Sequence, residues 1–434
     1  MLLVFRVGLS LRLLRRAWPV CALACTSSAL AQNLPPDSGA GDSLSLAQAI
    51  ELTQAHNPGL AAFSLETEAA RAAVDSAALR PPISVDAELE NFAGNGEASG
   101  TKSLEATLSL STVLELGGKR FHRRDLATRE LERLDVEQQA RRLDALAEVA
   151  RRYVSVVIAQ EQVNLAADDT ALAREALEAV SRRVAAGASA ELDRYVAQTR
   201  LARAELDELG ARSALDAARV KLAVLWGEER PRFAAATGDL FSLPVLASFA
   251  QLRASLDRNP DLLRFASEAR VRDATLALAR AQSRPDIDLA AGVRRLEDLD
   301  ADAFVLSFSV PLGSVRRSDP SIRGAQADLN RLALEERAAR LDLFGTLYGL
   351  SHALDQARDS VTALRGPILE QAQQALSQAQ RGYRVGRYAY LLLADAQTQL
   401  LEIRREAITA AAEYHLAALE IERLTGESMT NLGK

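Results

Sequence analysis

The chain is one unit written twice. Ser45-Leu46-Ala47-Gln48 recurs as Ser248-Phe249-Ala250-Gln251, His56-Asn57-Pro58 as Arg258-Asn259-Pro260, and Arg80-Pro81 as Arg284-Pro285. Further on, Leu108-Ser109-Leu110-Ser111 matches Leu306-Ser307-Phe308-Ser309, and Gly187 with Ala197-Gln198-Thr199 matches Gly386 with Ala396-Gln397-Thr398. Trp226-Gly227 matches Thr425-Gly426, and the offset stays between 198 and 204 residues throughout. A repeat kept in register this long obliges each half to build the same supersecondary structure. The expected division is a first repeat over 32–227, a linker over 228–247 and a second repeat over 248–434.

Each repeat reads helix, strand, strand, long helix, helix. The first helix is expected over about 45–79 and a long one over about 118–183, where Leu143, Leu146, Ala150, Tyr153 and Val157 recur every three or four residues. A third is expected over 190–225. No proline lies between Pro82 and Pro231, so nothing interrupts these helices. The second repeat gives helices over about 248–282, 320–382 and 389–424, with a kink at Gly366-Pro367. At about 1.5 Å per residue, a helix of ~66 residues spans roughly 100 Å and one of ~36 roughly 54 Å. Two short helices end to end match one long one. Such lengths suit a tube or a solvated coiled coil better than a globular core.

Two hairpins lie between the helices. Ile83, Val85, Ala87 and Leu89 alternate with polar residues, as do Leu104, Ala106, Leu108 and Leu110 after the turn Ala93–Lys102. Ile287, Leu289 and Ala291 lead to the acidic turn Glu297–Asp302, and Phe304, Leu306, Phe308 and Val310 follow. One apolar and one mostly polar face over about ten residues fits a barrel strand facing lipid and lumen, and it also fits a two-sided soluble sheet. The four together, in an exported chain with helices this long, favour the barrel. Four strands leave two open edges, and a barrel needs about eight or more. Three copies supply twelve strands and an open lumen, whereas two give a barrel filled by side chains.

The amino terminus is a leader rather than part of the fold. Arg6, Arg12, Arg15 and Arg16 precede an apolar run ending at Ala29-Leu30-Ala31, the pattern of a signal peptide over 1–31 cut between Ala31 and Gln32. Cleavage before Cys25, leaving a lipidated cysteine, is the alternative. Both cysteines, Cys21 and Cys25, fall in this leader. Its removal takes the formal charge from −6 to −10, which speaks against nucleic-acid binding. Beyond the leader no apolar run approaches the roughly 20 residues of a membrane helix, so any membrane crossing must be a β-barrel.

This arrangement resembles the TolC family of outer membrane factors over essentially the whole mature chain. The resemblance rests on the duplicated Asn-Pro, on the segments Arg183–Asp193 and Tyr383–Thr398, and on Leu114-Glu115-Leu116-Gly117-Gly118-Lys119-Arg120. That last stretch looks most like the branch serving cobalt-zinc-cadmium efflux. The resemblance implies a mainly α fold with a membrane β-barrel portion. Three chains would share a 12-stranded barrel in the bacterial outer membrane above a long α-helical periplasmic tunnel. It also implies a passive exit duct of an RND-type tripartite pump, partnered by a periplasmic adaptor and an inner-membrane pump. Gly187, Tyr383, Gly386 and Arg387 would form the adaptor-docking tip, Asp193 and Asp395 acidic rings at the tunnel entrance, and Gly117 and Gly118 the barrel-to-helix hinge. Leu392 stands where some relatives carry a second aspartate, which tells against a double acidic gate.

No chemistry-bearing constellation competes with this reading. His56, His122, His352 and His415 are far apart, and no group has metal-ligand spacing. Gly117-Gly118-Lys119-Arg120 lacks the first glycine and the Ser/Thr of a phosphate loop. No enzyme, cofactor or resident metal is expected. A TolC-like channel for drugs or protein secretion, and an exported coiled-coil protein without a pore, remain the alternatives.

Overall fold

The computed structural model describes residues 43–426; the leader with Cys25, Ala31 and Gln32 lies outside the described residues. The segment expected as one first helix is two, α1 (Leu46–His56) and α2 (Pro58–Ala77). The break is local chemistry. Pro58 forces Asn57 out of the helical region, to φ −68° and ψ 118°, and Asn57 then caps α2 with its side chain. Ser45 and Gln48 close a capping box at the start of α1. After a hairpin follow α3 (Lys119–Ala185), 67 residues long, and α4 (Glu191–Ala223).

The second half repeats the order. Its first helix is again split at Asn259-Pro260 into α5 (Phe249–Ser255) and α6 (Pro260–Gln282). Then come α7 (Ser314–Ala363), α8 (Leu369–Arg384) and α9 (Tyr390–Thr425). α7 begins six residues before the expected start at 320. Pro320 sits in its second turn, where the missing N–H costs one backbone bond near the helix end. A π-helical turn, Leu364–Ile368, carries the Gly366-Pro367 kink, with Gly366 at φ −94° and ψ −114°.

Ion pairs fix which helices run together. Arg141 to Glu66 (3.0 Å) and Arg133 to Glu268 (3.8 Å) tie the first half of α3 to α2 and α6. Arg200 to Asp169 (2.5 Å) and Arg404 to Asp168 (2.9 Å) tie its second half to α4 and α9. The long helix therefore has two shorter ones alongside it, one set per half. Its buried residues, including Val149, Ala150, Tyr153 and Val156, pack with Leu46, Ala49 and Ala411 in the central core.

A short parallel pair, β1 (Ser43–Leu44) with β4 (Ala235–Ala236), straps the linker to that core. The single Tyr153 hydroxyl proton is shared between Leu44 O in β1 (2.9 Å) and the carbonyl of Thr237, just after β4. The remaining strands, β2 (Ser84–Glu90), β3 (Glu105–Leu114), β5 (Ile287–Leu296) and β6 (Ala301–Ser309), form one antiparallel sheet in the order β2-β3-β5-β6. Each half supplies one hairpin, and β2 and β6 are left as open edges.

Candidate functional site

Register decides what the sheet can do. Val85 lies opposite Leu110, Leu110 opposite Ala291, and Ala291 opposite Leu306. The next row on that face is Ala87, Leu108, Val293 and Phe304. These rows stand outside any core: Phe304 is 93 % exposed, Leu306 79 % and Phe308 76 %. A contiguous apolar face this open demands a cover. The other face carries Asp86, Glu88, Thr107, Ser109, Ser111 and Arg294. There Arg294 bridges Glu105 (2.7 Å) and Glu90 (3.1 Å) and donates to Thr107 Oγ1 (2.8 Å). Gly292 sits in this polar face because a Cβ there would strike Leu108 O and Ser109.

Where the sheet becomes helix, Gly117 and Gly118 both take positive φ, 74° and 70°, and Gly118 caps α3. A Cβ on Gly117 would come 2.7 Å from Arg284 Cγ and 3.0 Å from Ala281 O, so the glycine also lets the end of α6 approach. The charged residues of the same stretch pin the turn. Lys119 pairs with Asp286 (2.7 Å), the Leu116 N–H donates to Asp286 (3.2 Å), and Arg123 pairs with Glu115. The second crossing uses one glycine, Gly313 at φ 80°.

At the far end of the helices two tight turns close the tip. Gly187 (φ 69°) and Gly386 (φ 77°) each occupy the left-handed position after a helix. The two turns are clasped by Arg183, whose guanidinium donates to Ala188 O in its own turn (2.8 Å) and to Tyr383 O in the other. It also lies 4.8 Å from the centre of the Tyr383 ring. Tyr383 is buried, packed edge-on against Tyr390 at 6.1 Å within a cluster with Val180, Ala197 and Leu393. Burial raises the pKa of Tyr390 above the usual phenol value, with nearby Arg200 opposing it. Gly382 is backed by the Tyr388 ring, which any Cβ would overlap.

The acidic candidates lie just inside each turn. Asp193 is half-buried in the first turn of α4, accepting from Ser189 Oγ (2.6 Å). Asp395 is exposed on α9 and accepts from Gln399 (3.0 Å). Arg387 is exposed, and only its backbone is bound, donating to Gly382 O (2.8 Å). The tip thus brings Gly187, Tyr383 and Gly386 together through Arg183. It leaves Arg387 and Asp395 on the surface.

Sequence reading missed what the duplicated Asn-Pro does. Asn259 Oδ1 accepts from the Asp261 N–H (2.7 Å) while its Nδ2 donates to Leu424 O (2.7 Å). Asn57 does likewise with Leu60 (3.0 Å) and Leu225 (2.8 Å). Each asparagine caps its own helix and clamps the end of the last helix of its half. No metal-holding group of His, Cys, Asp or Glu exists among the described residues, and no described helix is long and apolar enough to cross a membrane.

Comparison with known proteins adds the following. The family described as outer membrane efflux protein matches residues 49–228 and 252–427, one block in each half. The chain is 30% identical over 391 residues to the cobalt-zinc-cadmium resistance protein CzcC of Cupriavidus metallidurans, covering 90% of this chain and 92% of that protein. It is 28% identical over 286 residues to the nickel and cobalt resistance protein CnrC of the same organism, covering 64% and 67%. Among solved structures it is similar to CusC, a transmembrane channel, with a TM-score of 0.73 at 17% identity over 88% of this chain and 92% of that one.

Proposed function

This chain belongs to the outer membrane efflux protein family, and from that premise we propose that three copies close a twelve-stranded barrel serving as the exit duct for heavy-metal cations. It is a channel of the bacterial outer membrane, with its helices in the periplasm. The observation that carries the trimer is the four-stranded sheet with one exposed apolar face and two unpaired edges. Lipid covers the face, and the β6 edge of one copy pairs with the β2 edge of the next, since a spanning sheet tolerates no open edge. The polar face, with Arg294, Glu105 and Ser109, then lines the lumen.

The cargo follows from relatives whose names record cobalt, zinc, cadmium and nickel resistance. The duct performs no catalysis, and selection belongs to an adaptor and an inner-membrane pump. Gly187, Gly386 and Arg387 form the surface the adaptor meets, with Tyr383 buried behind them as its support. Asp193 and Asp395 become rings of three carboxylates that attract cations at the entrance. The leader over 1–31 is removed, and the two repeats, 32–227 and 248–434, flank the linker 228–247.

Planar-bilayer recording of the purified protein tests this. Single channels with cation preference are expected, and Asp395→Asn should lower that preference while leaving the channel open. A soluble monomer without conductance would refute the duct. A deletion strain with unchanged zinc, cobalt and cadmium tolerance would transfer the duct to another cargo.

A further inference from the structure

We propose that the level where strands become helices is a phospholipid-binding collar, built by arginines that bind the phosphates of the membrane leaflet facing the helices. The proposal rests on the membrane placement of the sheet.

Four crossings between helix and strand occur in each chain, and strand register puts them at one level. Ser84 faces Ser111, Leu114 faces Ile287, and Asp288 faces Ser309. Nine basic side chains lie within ten residues of these strand ends. Lys119 and Arg123 are neutralised by Asp286 and Glu115. The other seven make no ion pair among the described residues, and all are exposed: Arg80 below β2, Arg120 and Arg124 on α3, Arg280 and Arg284 on α6, Arg316 and Arg317 on α7. One turn further from the sheet, pairing resumes, with Arg129 on Asp125 (3.4 Å) and Arg323 on Asp319 (3.0 Å). In a chain with an overall acidic charge, a band this uncompensated attracts an anionic partner.

The band is amphipathic as well as basic. Leu79, Phe121, Leu312 and Val315, next to Arg80, Arg120 and Arg316 in the chain or within a few residues of them, are all exposed. Exposed apolar side chains interleaved with unpaired guanidiniums suit the boundary where acyl chain gives way to phosphate on leaving a bilayer. A groove of ≈ 580 Å³ at this level is lined by Leu116, Gly117, His122, Arg280, Arg284 and Pro285. It offers two arginines to one headgroup, and guanidinium suits bidentate phosphate binding. Gly117 keeps the groove open, because a Cβ there would press on Arg284.

Native mass spectrometry of the detergent-solubilised full-length protein, given phosphatidylglycerol or phosphatidylcholine of matched chains, tests the collar. Wild type should retain phosphatidylglycerol preferentially. Arg280→Gln with Arg284→Gln should weaken that retention by about fivefold per arginine, roughly twenty-five-fold in all. Arg280→Lys with Arg284→Lys should keep most of it, and Arg337→Gln with Arg405→Gln, two exposed arginines far from the sheet, should change nothing. Equal retention of both lipids by wild type, or wild-type retention by the glutamine pair, would overturn the proposal. So would pelleting of the protein with peptidoglycan while phosphatidylglycerol leaves no adduct. Conductance of the same preparation separates the two readings: a conducting channel indifferent to lipid charge refutes the collar alone.

Discussion

Replacing Asn259 by Ala should destabilise the protein about twice as much as replacing Asn57, although the two residues occupy the same place in the two repeats. Both asparagines cap a helix and clamp a distant carbonyl, but Asn259 is buried, only 1 % exposed, while Asn57 is only half-buried. Losing the cap costs about 1 kcal/mol in either case. At Asn259 the change also strands the Leu424 carbonyl, an unmet acceptor worth about 1–3 kcal/mol where water cannot reach. The total is about 3 kcal/mol for Asn259→Ala and about 1–1.5 kcal/mol for Asn57→Ala, whose Leu225 carbonyl gains water. Helix loss on heating, followed by circular dichroism in detergent, should show midpoints lowered by about 6 °C and ~2–3 °C, taking ~2 °C per kcal/mol for a large chain. Asn259→Asp is the sharper test. It keeps the acceptor for the Asp261 N–H and loses only the donor, while setting a carboxylate against the Leu424 carbonyl and beside Asp261. It should cost as much as Ala despite its identical shape. Equal shifts at positions 57 and 259, or a neutral Asn259→Asp, would refute the clamp.

Other perturbations separate further parts of the design. Arg183→Ala removes one charge-assisted bond and one ring contact between the two tip turns, about 1–2 kcal/mol after allowing for its partial exposure, so amide hydrogen exchange around 383–390 should quicken roughly 5–30-fold. Unchanged exchange there would mean that the turns are held by packing alone. Gly382→Ala should loosen the same turn by displacing the Tyr388 ring, and the double variant Gly382→Ala with Tyr388→Ala should recover it. His415 is buried, with its Nε2–H donating to Leu240 O in the linker, and burial holds its pKa below the ordinary 6.5. The unfolded chain therefore takes up the proton first as pH falls. Stability contributed by neutral His415 is complete above about pH 6.5, declines below it and levels off under the folded value. A thermal midpoint for wild type that falls no faster between pH 7 and 5 than that of His415→Gln would contradict this. Leu306→Lys puts a charge on the exposed apolar face and should cost about 2–4 kcal/mol of membrane stability, abolishing heat-modifiable oligomers, whereas Ser307→Lys on the opposite face should be tolerated.

The sequence alone determined everything that depends on near neighbours. Period-2 alternation placed the strands, and the 3.6-residue stripe with no proline placed α3. Gly187, Gly386 and Gly117-Gly118 marked the left-handed turns that only a residue without a Cβ enters easily. Even the helix break at Asn57-Pro58 was written locally, in a proline preceded by its capping asparagine. The repeat went further and required two hairpins, hence four strands and two open edges.

Tertiary structure decided what lies between distant residues. Arg183 meets the Tyr383 carbonyl 200 positions away, Asn259 meets Leu424 at 165, and His415 meets Leu240 at 175. The unpaired collar likewise exists only because strand register levels four crossings that the chain visits separately. Propensity and periodicity act over one or two turns of chain. A helix end or a buried polar group finds its partner only when packing brings two remote segments together, and a side chain that is an ordinary cap or surface arginine in the sequence becomes a clamp, a clasp or a binding band there.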